Sequence, residues 1–218
     1  MFRLARSGVF THKIYVPEFY QLESVNGVQV LRLKSADGTN RLSRACVLEL
    51  AAAIRELSRE LQPLIIAGNH KFFSAGAELS EIAVLTGPEA YEFSRMGQEL
   101  MNAVAGFPAP VYAAVEGYCM GGGLDLALAC HHRIASPHAI FGHRGAALGL
   151  ITGWGGTQRL PRIVGKAKAL EMFVAAEKLH AAEALRIGLV EGVVQDPIGH
   201  ALKILREKSE AGPSLRSG

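Results

Sequence analysis

The chain has 218 residues, which is enough for one domain with a sizeable core. Hydrophobic residues make up 49% and charged residues 20%, the balance of a globular protein, and no apolar run reaches the length of a membrane span. The net charge of +3 comes from interleaved acids and bases, so it leaves no nucleic-acid footprint, although it suits an anionic, phosphate-bearing ligand.

The first 16 residues are basic (Arg3, Arg6, Lys13), lack acids and hold no long apolar core, so they read as an N-terminal arm rather than a secretory signal. Gly27 to Lys34 alternates as a strand. Ser43 to Leu61 reads as an amphipathic helix, with Val47, Leu50, Ile54, Leu57 and Leu61 at three- and four-residue spacing. Leu64 to Ala67 is a short buried strand. Thr86 and Glu89 have capping-box spacing with Pro88 in the first turn, which predicts a helix running to about Gly106. Val111 to Val115 is a strand, Leu124 to Cys130 a helix, and Arg133–Ala135 and Ile140–Phe141 short strands. From Gly155 the chain is mostly helical, with one strand near Leu189 to Val194 and a last helix from Pro197 to Lys208. Strands alternating with helices imply an α/β fold.

Two stretches carry the chemistry. In the first, the apolar run Val111 to Val115 meets a turn containing Gly121, Gly122 and Gly123, which opens a helix. In the second, the strand Leu64 to Ala67 leads through a short loop to Ala75-Gly76-Ala77. Glycines let a backbone approach a ligand closely, and helix N-termini carry unpaired N–H groups and partial positive charge. Two such turns can aim two amides at one oxyanion. Tight packing of helix on sheet explains the glycines alone equally well.

These stretches, F-F-S-A-G-A-E-L and G-Y-C-M-G-G-G-L-D-L-A-L, resemble those of the crotonase (enoyl-CoA hydratase/isomerase) superfamily. Thr39 to Ser43 is similar to the segment before that family's first long helix. Gly153 to Gly165 (G-W-G-G-T-Q-R-L-P-R-I-V-G) and Ala181-Ala182-Glu183-Ala184 leading to Gly188-Leu189-Val190 resemble two further blocks. The resemblance implies a spiral of ββα turns over residues 17–195, after the arm of 1–16, with a shortened C-terminal helical region at 196–218. It also implies a homotrimer or dimer of trimers, an acyl-CoA substrate, coenzyme A present only as part of that substrate, and no bound cofactor. A cytoplasmic location and no nucleic-acid or membrane partner are expected with it.

By the same resemblance, the oxyanion donors are the amides of Ala75 and Gly122, and Ala75, Gly76, Ala77 and Glu78 border the CoA. Hydratases of this family divide acid–base work between two carboxylates. The first falls on Asp125; the second position is Gly145, so its carboxylate is missing. His143 and Arg144 lie beside the gap: His143 is a candidate base near neutral pH, Arg144 a candidate partner for a substrate carboxylate, and both also read as plain surface loop residues. Trp154 stands where the family has a small residue, and either fills or narrows the pocket. No serine–histidine pairing marks a nucleophile. The cysteines Cys46, Cys119 and Cys130 lack C-x-x-C spacing and read as buried free thiols of a reducing compartment, and no metal-ligand spacing is present. The missing carboxylate keeps three readings open: enoyl-CoA hydration or isomerisation, decarboxylation or C–C hydrolysis of an acyl-CoA, and an inactive CoA-binding subunit.

Overall fold

The computed structural model describes residues 16–210, so the expected arm at 1–16 lies almost wholly outside the described residues, as do the last eight positions of the C-terminal region. The chain begins with a hairpin, β1 (Tyr20–Val25) and β2 (Val28–Leu33), followed by the short β3 (Arg41–Leu42) and helix α1 (Arg44–Leu57). Next come β4 (Leu64–Ala67), β5 (Phe72–Ser74), β6 (Gly76–Ala77), α2 (Leu79–Ile82) and the long α3 (Gly87–Ala105). β7 (Val111–Val115), β8 (Tyr118–Met120) and α4 (Gly122–Ala129) form the central unit, and β9 (His132–Ala135) and β10 (Ile140–Gly142) follow it. A 3₁₀ turn at Gly145–Leu148 leads to α5 (Gly156–Val164) and α6 (Lys166–Ala175). β11 (Leu179–His180), α7 (Ala181–Arg186), β12 (Gly192–Val193) and α8 (Pro197–Glu210) complete the described chain.

Apart from the pairs β1–β2 and β10–β11, strands that follow one another along the chain are dealt to different sheets. One six-stranded sheet has the order β1-β2-β4-β7-β9-β12, a second has the order β11-β10-β8-β5, and β3 pairs with β6. Pairing is parallel except for the antiparallel edge pairs β1–β2 and β10–β11. The steps β4–β5 and β7–β8 therefore carry the chain out of the six-stranded sheet, and the helices after them lead it back. The main core fills the space between, with Phe73, Leu100, Val115, Leu124 and Phe141 fully buried. A second core lies on the other face of the six-stranded sheet, where Ala201 and Leu205 of α8 cover Val30, Ile65 and Tyr112.

The periodicity of α1 and the capping box of α3 give helices where they were expected. Ser43 Oγ caps α1 by accepting from Cys46 N–H, and Thr86 and Glu89 form both halves of the box on α3. α1 ends a turn sooner than the apolar spacing suggests: it closes at Leu57, and Leu61 turns to φ 54° ahead of Pro63. A left-handed φ cannot continue a right-handed helix, and Gln62, directly before Pro63, is itself disfavoured in the helical region, so the chain has left the helix by this point. The strand expected near Leu189 to Val194 is formed only at Gly192–Val193. β3, β6 and β11 are two residues each, too short for any alternation to show in the sequence.

Candidate active site

The Gly121–Gly123 turn delivers α4 into the middle of the protein. The helix starts at Gly122, two residues before the expected Leu124, and all eight of its residues are buried. The Gly122 amide opens the first turn, where no intrahelical acceptor exists, and it donates to no acceptor among the described residues. The neighbouring Gly121 amide, by contrast, is tied to the Gly142 carbonyl at 2.9 Å.

The second loop is braced from below. Asn40, buried at φ 51°, donates from Nδ2 to the carbonyls of Phe72 (3.0 Å) and Phe73 (3.2 Å). Ser74 Oγ donates to the Asn40 carbonyl at 2.7 Å and accepts from the Gly76 amide at 3.1 Å. Gly76 itself takes φ 97°, a value that L side chains rarely adopt, and a Cβ there would lie 2.6 Å from the Met120 carbonyl. The two glycine turns are thus pressed together.

This bracing corrects one expectation. The Ala75 amide donates to the Thr39 carbonyl at 2.9 Å, so it is spent on the fold and is no free oxyanion donor. The Glu78 amide likewise points to β3, at 3.4 Å from the Leu42 carbonyl. Glu78 uses its carboxylate to cap α2 through the Ser80 amide and lies 3.4 Å from Arg41 Nη1; the bonds from Ser80, with a smaller part from Arg41, hold its carboxyl below the usual glutamate range.

Asp125 lies on the inner face of α4 and is 1% exposed. Its Oδ2 accepts a hydrogen bond from Thr152 Oγ1. Its Oδ1 lies 3.3 Å from His143 Nε2, and neither atom has an aligned hydrogen-bond partner. His143 is 4% exposed and its ring is 5.2 Å from that of Phe173, so it is a buried residue beside the acid and not a surface loop residue. Arg144, by contrast, is exposed, the surface position that the loop reading gave it. Thr152 is the member of this cluster that the sequence did not single out; its hydroxyl type is the only signal it offered.

Gly145 begins the 3₁₀ turn, and the Leu150 amide closes the loop onto its carbonyl at 2.8 Å. A Cβ at Gly145 would stand 2.6 Å from the Leu150 carbonyl. The missing carboxylate is therefore matched by a turn with no room for a side chain.

Trp154 fills the space beside the glycine turn. It is 4% exposed, its Nε1 donates to the Phe93 carbonyl at 3.2 Å, and its ring centroid lies 5.3 Å from that of Phe93. His131 clamps the end of α3 to β7: Nδ1 accepts from the Val111 amide at 3.0 Å and Nε2 lies 3.1 Å from the Ala105 carbonyl. All three cysteines are free and buried, and burial pushes the thiols of Cys46 and Cys130 up to about 12. Among the described residues no group of three His, Cys, Asp or Glu is placed to hold a metal, and no helix is long and apolar enough to cross a membrane.

Parallel ββα turns wound between two sheets, with a glycine turn feeding a buried helix at their centre, define the crotonase fold. A family model described as enoyl-CoA hydratase/isomerase matches residues 23–213, and the chain belongs to that family. It is 39% identical over 177 residues to a crotonyl-CoA hydratase of Syntrophomonas wolfei, covering 80% of this chain and 68% of the relative. It is 44% identical over 154 residues to a probable enoyl-CoA hydratase of Bacillus subtilis, covering 69% of this chain and 60% of that protein. Among solved structures, Pseudomonas aeruginosa DspI superposes with a TM-score of 0.86 at 34% identity, over 93% of this chain and 79% of DspI. The chain thus spans about two thirds or less of the length of the two sequence relatives.

Proposed function

We propose that this protein acts on an acyl-CoA thioester, holding the thioester oxygen on backbone amides while the Asp125–His143 pair moves a proton at the adjacent carbons. The observation that carries the reading is the meeting of two buried, unpartnered polar atoms 3.3 Å apart, Asp125 Oδ1 in the first turn of α4, which the free Gly122 amide opens, and His143 Nε2 just after β10. A buried polar atom without a partner is costly, and its retention in a core is a mark of chemistry more than of stability.

Gly122 supplies one donor. The second donor is Ala77 in place of Ala75. The amides of Ala75 and Glu78 both turn toward β3, and Gly76 breaks the strand's alternation between them. The Ala77 amide is then left facing the other way, toward Gly122, whose Cβ would stand 3.3 Å from Ala77 N. Gly76, Ala77 and Glu78 border the CoA in this reading.

For an enoyl substrate the reaction is addition of water. A water O–H bond breaks and a C–O bond forms at the β-carbon. The electron pair of the double bond moves onto the thioester oxygen, held by the amides of Gly122 and Ala77, and a proton then returns to the α-carbon. His143 takes the proton from water and gives it back at the α-carbon, while Asp125, fixed by Thr152, stands 3.3 Å from the imidazole. Asp125 and His143 are 1% and 4% exposed, so the proton moves in a site screened from bulk water.

The tight turn at Gly145 favours a second reading on the same scaffold. With one carboxylate absent by architecture, decarboxylation of an acyl-CoA generates the enolate without a base. One experiment separates the two. Loss of the conjugated-thioester absorbance of crotonyl-CoA is followed with wild type, Asp125→Asn and His143→Gln. Hydration falling by about 10² or more in both variants supports the first reading. No hydration by the wild type, with CO₂ released from malonyl-type thioesters, supports the second. Neither activity, with CoA still bound, leaves an inactive CoA-binding subunit.

A further inference from the structure

Trp154 is locked in place from every side. Its six-membered ring edge faces α4, where a Cβ on Gly122 would meet Cζ3 at 2.5 Å and Cε3 at 2.8 Å. Its pyrrole edge faces α3, where a Cβ on Gly97 would meet Cδ1 and Nε1 at 2.1 Å. Only glycine at both positions admits the ring. The Nε1 bond to Phe93 fixes its rotation. Its backbone is held as well: Gln98 Nε2 donates to the Gly153 carbonyl at 2.8 Å, and Arg159 Nη1 donates to the Trp154 carbonyl at 3.3 Å. Arg159 is in turn held by Asn102 Oδ1 at 2.8 Å.

We infer that Trp154 is the wall that ends the acyl pocket, restricting this protein to short-chain acyl-CoA thioesters. The inference rests on the acyl-CoA reading above. A thioester oxygen on the Gly122 amide places the reacting carbons between that amide and the Asp125–His143 pair. Further carbons have to run along the first turn of α4, and the side of that turn facing α3 is taken by the indole. A flexible side chain could swing away, but this one is pinned at its ring nitrogen and on both sides of its backbone. The substrate is thus a thioester of a few carbons.

A residue that merely filled a gap between α3 and α4 would affect stability and leave chain-length preference untouched. The test is calorimetric titration of the full chain with CoA, butyryl-CoA and octanoyl-CoA, using wild type, Trp154→Ala and Trp154→Phe, each checked by thermal melting. Burial of a methylene in an open pocket is worth up to about fourfold in affinity. The wild type is expected to bind butyryl-CoA at least as tightly as CoA, and octanoyl-CoA about tenfold or more weakly than butyryl-CoA. In Trp154→Ala the order reverses, with octanoyl-CoA gaining about fourfold per added methylene that is buried. Trp154→Phe shifts the same ratio by a smaller factor and serves alone if the alanine variant does not fold. Octanoyl-CoA bound by the wild type as tightly as butyryl-CoA overturns the inference, as does a ratio unchanged in the folded variants. Binding of neither CoA nor any acyl-CoA by the wild type overturns the acyl-CoA reading itself, and the wall with it.

Discussion

Gly156 and Asp125 compete for one volume: a Cβ on Gly156 would stand 2.2 Å from Asp125 Oδ1. The same carbon would lie 2.8 Å from Thr152 Cγ2 and 3.0 Å from His143 Nε2. The glycine at the start of α5 is therefore part of the site's geometry, since it lets the acid, the hydroxyl and the imidazole meet. Gly156→Ala is expected to cost about 1–3 kcal/mol by overpacking and to lower turnover more steeply than stability. Thermal melting alongside crotonyl-CoA kinetics checks it, and full activity in a folded Gly156→Ala protein would dismiss the cluster as the seat of chemistry.

Thr152 gives the buried Asp125 carboxylate a hydrogen bond from its hydroxyl. Thr152→Val keeps the shape and removes the donor. An unsatisfied buried acceptor costs about 1–3 kcal/mol, so denaturant unfolding should shift by that amount. Thr152→Ser should restore most of it. Equal stability of the valine and serine variants would show that the hydroxyl bond contributes nothing.

Gly145 offers a test of architecture against chemistry. Gly145→Glu puts back a carboxylate at the vacant acidic position, but its Cβ would meet the Leu150 carbonyl at 2.6 Å. The expected result is a destabilised protein with no gain in hydration rate. A faster hydratase would mean that the turn yields easily and that the missing acid alone limits the reaction.

Asn40 ties the β5 loop to the chain before β3 through the Phe72 and Phe73 carbonyls. Asn40→Ala should cost about 1–3 kcal/mol and loosen the loop that carries Gly76 and Ala77. Steady-state kinetics should then show kcat falling more than KM rises. A loss of stability with unchanged kcat would confine Asn40 to folding.

Asp37 accepts hydrogen bonds from the Thr39 amide and hydroxyl and from Ser35, which hold its carboxyl at about 2, below the ordinary 3.8. The folded chain binds that proton less readily than the unfolded chain. The stabilisation is fully present above the ordinary value and is lost as pH falls through the folded one. Urea midpoints measured between about pH 5 and pH 2 should decline less steeply in Asp37→Asn than in the wild type. Parallel slopes would exclude a contribution from this turn.

Much of this molecule is written in local patterns. The spacing of Val47, Leu50 and Ile54 makes one face of α1, the Thr86–Glu89 pair starts α3, and the apolar run Val111–Val115 has to be a central strand. The glycines at 76 and 121–123, together with the blocks around Gly153–Gly165 and Ala181–Val190, carry the family. Asp125 is legible for the same reason, as an acid in the first turn of an otherwise apolar helix.

What the sequence by itself determined was therefore the element types, the family and the acid on α4, because each is a matter of spacing within a dozen residues. Tertiary structure alone decided which amide is free and which groups meet. The Ala75 amide looks as available as any other until Thr39, far back along the chain, takes it at 2.9 Å. His143 reads as a loop residue until the turn at Gly145 folds it under Phe173 and against Asp125. Trp154 is an odd bulky residue until Gly97 and Gly122 close on its two edges. Hydrogen bonds and steric contacts act over a few ångströms in space, whatever their separation along the chain, and a single sequence does not carry those distances.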